Sequence, residues 1–187
     1  REMVNRVGAA GVVLRRWNFD RLDDESNLFG QLLNETFAGH WGSPQYSPAQ
    51  MHGFAVGMKD LLISDFLAFA EVRGEAVGFV FSFPDLNQAL HRVRGKSAEE
   101  SPAALAQALE AIDHGVLQII GVRESHRGHG INLALAAKSY LAMIERGYKT
   151  ASYTIVLDDN WPSRRTAERL GARVSRNFII YRRELAP

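Results

Sequence analysis

The chain has 187 residues, 46% of them hydrophobic, which is enough for one domain with a sizeable core and too few for two. It contains no cysteine, so disulfides, thiolate metal sites and a cysteine nucleophile are all excluded. The net charge of +1 conceals an asymmetry: residues 1–120 carry 10 Lys/Arg against 15 Asp/Glu, and residues 121–187 carry 12 against 6. A basic C-terminal third suits an anionic ligand, or is a solvated basic face. No apolar run approaches the roughly 18 residues of a membrane-spanning helix. The expectation is a cytoplasmic protein with no membrane partner.

Residues 1–10 read as a lead-in, and 11–187 as one domain. Gly11–Trp17 has the composition of a first strand. Acids and a cap-like Ser26 precede Leu28, Phe29, Leu32, Leu33 and Phe37, an amphipathic helical spacing. Ser47 and Pro48 open a second helix as cap and first helical residue. The period then shortens. Phe66–Val72 and Ala76–Phe83 are rich in aromatic and β-branched residues around the turn signal Arg73–Glu75, which predicts an antiparallel hairpin. Residues 86–95 and Pro102–Ile112 are helical. Gly115–Val122 is the next strand and Gly130–Arg146 a long helix closed by Gly147. Thr150–Leu157 is a strand, Asn160–Leu170 a helix, and Arg173–Arg183 a last strand or pair. The fold class is therefore α/β in the broad sense, a central mixed sheet flanked by helices. The β-α-β unit over 115–157 should hold parallel strands.

The informative stretch is Leu117–Leu133: a buried strand, a basic glycine loop, and the first turn of the long helix. Gly128 and Gly130 follow Arg127, and the amides at such a helix N-terminus favour a phosphate. The spacing is neither the phosphate loop with a Lys-Ser/Thr pair nor the dinucleotide fingerprint, since Leu133 stands where the latter needs a small residue. Residues 122–131 instead resemble the acyl-CoA-binding motif of the GCN5-related N-acetyltransferase superfamily, with Arg127, Gly128, His129, Gly130, Ile131 and Asn132 aligned on its core. Residues 157–172 resemble that family's second signature, an Asn-containing segment ending in Leu170–Gly171.

The resemblance implies an acyl-CoA-dependent N-acyltransferase, with acetyl-CoA or another acyl-CoA as co-substrate, no metal, and a small-molecule amine as acceptor. It places the diphosphate on the amides of residues 127–132. The pantetheine arm falls on the backbone of Ile120 and Val122, and on Asn160 and Ser163. Gly121 fits a bulge in that strand, or merely relieves crowding. Asn160 is also an ordinary helix-cap residue. Two positions depart from the family pattern: Asn132 replaces a small residue, and Ala167 stands where a proton-donating Tyr is frequent. No general base is evident; His114 and Tyr181 are weak catalytic candidates. The fold would wall the acceptor pocket with Trp41 beside His40, and with Asp85 and Asn87, each of which has an equally ordinary packing or turn role. Six scattered histidines lack metal-ligand spacing. Aromatic and basic residues do not alternate on the strands, so nucleic acid is not an expected partner. A homodimer is compatible with the reading. The alternative function is a non-catalytic acyl-CoA-binding or regulatory domain of a larger protein.

Overall fold

The computed structural model describes residues 1–40, 42–97 and 101–184. In chain order the elements are α1 (Glu2–Ala9), β1 (Val12–Arg16), α2 (Leu22–Thr36), α3 (Pro48–Met58), β2 (Ala68–Val72), β3 (Glu75–Pro84), α4 (Leu86–Val93), α5 (Ser101–Glu110), β4 (His114–Val122), α6 (Ile131–Glu145), β5 (Thr150–Tyr153) and α7 (Trp161–Arg169). The strands lie in sequence order in one mixed sheet. The first four are antiparallel neighbours, and β5 joins β4 in parallel.

Local chemistry accounts for several boundaries. Ser47 accepts a hydrogen bond from the amide of Gln50, whose side chain accepts from the amide of Ser47, so a full capping box starts α3. Arg73 and Gly74 both adopt positive φ, 53° and 82°. This is the two-residue hairpin turn whose twist matches the flanking strands. β3 carries an extra residue at Val77 against β2, and β4 carries one at Gln118 against β3.

The sheet is covered on both faces. On one side α1, through Val7, and α6, through Leu135, close over Val77, Val80 and Leu117. On the other, α2 and α3 cover an aromatic cluster of Trp17, Phe29, Phe69, Phe79 and Phe81. Trp17 stacks on Phe69 with ring centroids 5.5 Å apart. Burying each such ring contributes roughly 1.5–3 kcal/mol. A smaller cluster of Ala89, Ala108 and Ile112 joins α4 to α5.

Three expectations are corrected. The lead-in is a helix, because Val7 is buried in the α1–α6 cluster. The fifth strand ends at Tyr153 rather than Leu157, since Ile155 turns the chain at φ 45°. Residues 172–184 form no helix or strand, and Val174 and Phe178–Tyr181 lie exposed. Their β propensity has no described neighbour with which to form a ladder.

Candidate functional site

β4 and β5 stay paired from His114 opposite Thr150 to Leu117 opposite Tyr153, and then part. Two local features mark the divergence. Gln118 is the extra residue that bends β4. Beyond Tyr153, Ile155 holds a left-handed conformation, which a β-branched residue rarely adopts. Thr154 sits at the fork, its amide donating to the Leu117 carbonyl at 3.1 Å and its hydroxyl to the Gln118 side chain at 3.3 Å.

The parted strands open a cleft of about 490 Å³. Its floor is residues 117–122 of β4 and, on the other strand, Tyr153 at the end of β5 with residues 154–156 beyond the fork. One end meets the loop before α6, with Arg127, Gly128, Ile131 and Asn132, and the first turn of α7, with Asn160 and Ser163. The end of α2 supplies Thr36 and Phe37, and His40 follows. Gly121 makes the close approach to α2 possible. A Cβ there would stand 2.5 Å from the Thr36 hydroxyl and 2.7 Å from the Phe79 ring. The bulge therefore falls at Gln118, and Gly121 relieves crowding.

The loop is built to leave its amides free. Gly128 and Gly130 have φ of 83° and 79°, the second as the left-handed N-cap of α6 with no side-chain cap. Among the described residues, no backbone or side-chain acceptor takes the amides from Gly128 to Leu133. The cations around them are partly committed. Arg123 pairs with Glu35 of α2 at 2.9 Å and with Glu75 of the hairpin. Arg127 donates through Nε to the Val122 carbonyl at 3.1 Å. Asn132 donates to the Thr166 hydroxyl at 2.7 Å, tying α6 to α7.

On the α7 side, the Asn160 side chain accepts from the Ser163 amide at 3.2 Å, so Asn160 is a helix cap that also lines the cleft. The Tyr153 hydroxyl lies 3.0 Å from Ser163 Oγ. Burial holds the Tyr153 phenol above its ordinary pKa, partly opposed by the Ser163 hydrogen bond. The neighbouring Tyr140 is raised first by burial and then by Tyr153.

The structure thus brings Ile120, Val122, Arg127, Gly128, Ile131, Asn132, Asn160 and Ser163 to one cleft. His129 and Gly130 belong to the same loop without lining it. The remaining candidates lie elsewhere. His114 starts β4 at the end away from the fork, its ring nitrogens held by Thr150 and Ser152 at 2.7 and 2.8 Å. Tyr181 is 87% exposed in the segment after α7. Asp85 caps α4 through the Asn87 amide at 3.1 Å, and both line a separate shallow hollow with His91 and Arg92. Trp41 lies outside the described residues. Sequence reasoning missed Thr36, Phe37 and Tyr153 as cleft residues. Phe37 ends an apolar helical period and reads as core, and Tyr153 reads as an ordinary strand residue. Among the described residues, no cluster of three His, Asp or Glu could hold a metal ion, and no helix is long and apolar enough to cross a membrane.

The FR47-like protein family model matches residues 96–179. A protein of Caulobacter vibrioides named bacterial ceramide synthase is 26% identical over 188 residues, covering 97% of this chain and 49% of the relative. The chain spans about half the length of the curated relatives it matches. Among solved structures, the aminoglycoside acetyltransferase AAC(6')-Iy in complex with a bisubstrate analogue of CoA superposes with a TM-score of 0.59 at 19% identity, over 93% of this chain and 99% of that one. A GCN5-related N-acetyltransferase from Sphaerobacter thermophilus gives 0.56 at 17% identity, over 86% and 41%. The fold, a mixed sheet flanked by helices, is the one these acetyltransferases share.

Proposed function

We propose that the cleft between β4 and β5 binds an acyl-CoA and passes its acyl group to an amine. One observation carries this reading: the row of free amides at the start of α6 opens directly into the gap between the parting strands. The amides and the helix dipole would hold the diphosphate. The freed edge of β4 at Ile120 and Val122 would take the pantetheine by backbone hydrogen bonds, with Asn160 and Ser163 on the opposite wall. Attack by a neutral amine forms a C–N bond and breaks the C–S bond. Backbone N–H groups of β4 would stabilise the oxygen that gains charge. His40, beside Phe37 at the α2 end, is a candidate to take the amine proton.

Acetyl-CoA is the default donor. The lining around the reacting end is apolar, with Phe37, Leu117, Ile119, Ile155 and Val156. With the name of the Caulobacter relative, this favours an acceptor amine that carries an apolar chain. Binding of CoA without transfer is the second reading, favoured by Ala167, whose side chain has no proton to give.

Thermal shift and calorimetry with acetyl-CoA, palmitoyl-CoA, ATP and NAD test the site. A ligand at 100 times its Kd stabilises the folded state by about 2.7 kcal/mol. The CoA esters should raise the midpoint, and Gly128→Val with Gly130→Val should abolish the rise. Stabilisation by ATP or NAD but not by CoA esters would refute the assignment. Thiol release with a long-chain amino alcohol as acceptor separates catalysis from binding alone.

A further inference from the structure

Breaking a thioester leaves the electron pair on sulfur, and a nearby acid that protonates it lowers the barrier to expulsion. The described cleft offers few proton donors. His126 and Arg127 belong to the phosphate loop, and His40 stands at the α2 end. The wall shared by β4, β5 and α7 offers one phenol. We infer that Tyr153, relayed by Ser163, is the proton donor to the departing thiolate. This inference rests on the acyl-CoA reading of the cleft.

The geometry supports it at three points. Tyr153 is the last residue of β5 before the strands part, paired with Leu117, so it stands where the cleft opens. Its ring is anchored against the cluster that includes Val80, Leu117 and Leu135, which fixes where the hydroxyl points. That hydroxyl meets Ser163 Oγ at 3.0 Å, and Ser163 also lines the cleft. When Ser163 donates to the phenol oxygen, the phenol proton is left for a group in the cleft. The elements packed here present Tyr140 of α6 as the titratable neighbour, with uncharged Leu117 and Gln118 from β4 and Ser163 from α7. Burial keeps the phenol protonated through neutral pH.

The step balances as follows. The amine nitrogen bonds to the carbonyl carbon, and the C–S bond breaks with its electron pair going to sulfur. The Tyr153 O–H proton passes to sulfur and gives the CoA thiol. The phenolate regains a proton through the Ser163 hydroxyl, and the proton lost by the amine leaves to a base or to water.

Tyr153→Phe keeps the ring and its packing, and Ser163→Ala keeps the phenol and removes the relay. Two measurements on the full chain decide the matter. First, a phenol that donates to the thiolate acidifies the thiol of bound CoA. Its titration, followed by thiolate absorbance, should move up by about one pH unit or more in Tyr153→Phe, a tenfold change in acidity. CoA affinity should change far less. Second, with a long-chain amino alcohol and whichever of acetyl-CoA and palmitoyl-CoA the wild-type chain turns over, kcat should fall about 100-fold in Tyr153→Phe with KM little altered, and less in Ser163→Ala. An unchanged thiol titration in Tyr153→Phe, with CoA still bound, overturns the inference and leaves the binding site standing. Failure of the wild-type chain to bind CoA overturns the acyl-CoA reading itself, and the role of Tyr153 with it.

Discussion

Gly121→Ala is the sharpest test of how the cleft is built. The added Cβ would lie 2.5 Å from Thr36 Oγ1 and 2.7 and 2.9 Å from two atoms of the Phe79 ring. None of these neighbours can swing away easily. Phe79 is fully buried in the aromatic cluster, and the Thr36 hydroxyl is held on the Leu32 carbonyl at 2.7 Å. Overpacking of this kind costs about 1–3 kcal/mol. Alanine also restricts the unfolded chain, which returns about 0.4–1 kcal/mol. The net is a loss of up to about 2.6 kcal/mol, or a midpoint lowered by up to about 10 °C for a chain of this size. Gly115→Ala is the control. Its Cβ meets the Met143 side chain, at Sδ, at Cε 2.7 Å away and at Cγ 3.2 Å away, and a buried thioether repacks more readily than a ring wedged in an aromatic cluster. Urea denaturation of both variants gives the comparison. If Gly121→Ala is no more destabilising than Gly115→Ala, α2 does not press on β4 as described. Because Thr36 and Gly121 both line the cleft, Gly121→Ala should also weaken the acetyl-CoA thermal shift.

Two further outcomes follow from named contacts. Asn160→Ala removes the acceptor of the Ser163 amide and should cost about 1 kcal/mol by denaturation, whereas Asn160→Asp should retain most of it. Asp65 is held below its ordinary carboxylate pKa by hydrogen bonds from Arg146 and then Arg16, opposed by partial burial. A lowered folded pKa means that its stabilisation is complete above the unfolded value of about 4 and is lost as pH falls through the lowered folded value. Asp65→Asn should therefore lower stability at neutral pH and flatten its decline below about pH 4. A parallel decline in both proteins would show that the Arg146 and Arg16 contacts contribute nothing.

Much of the fold was legible because its signals are local. The hairpin turn shows in Arg73–Gly74, the start of α3 in Ser47 and Pro48, and the loop before α6 in Gly128 and Gly130. Each of these residues answers a requirement of its own backbone. The cleft was legible only from the side that carries such signals. Tyr153 and Thr36 become site residues through a bulge at Gln118 and a left-handed turn at Ile155. Neither leaves a composition mark: Ile is among the least expected residues at positive φ. His114, Asp85 and Asn87 lie away from the cleft for the opposite reason. Their chemistry was right for a site, but each is occupied by a local task, on Thr150 and Ser152 for the first and on the cap of α4 for the others. Polar type alone does not distinguish a cap from a ligand.

The two ends of the cleft are mechanically joined through the last turn of α2. Glu35 is paired with Arg123, the residue from which the glycine loop springs. Thr36, the next residue, presses on Gly121 of β4. Phe37 and His40 then form the wall where an acceptor would enter. A shift of the loop on binding a diphosphate would pull on Glu35 and so on that wall. The buried contact at Gly121 limits how far α2 can follow, because Phe79 fills the space behind it. The wall at Phe37 and His40 is thus set by the strand and loop that the proposed function gives to the donor. This is the arrangement expected where the second substrate must meet a thioester already in place.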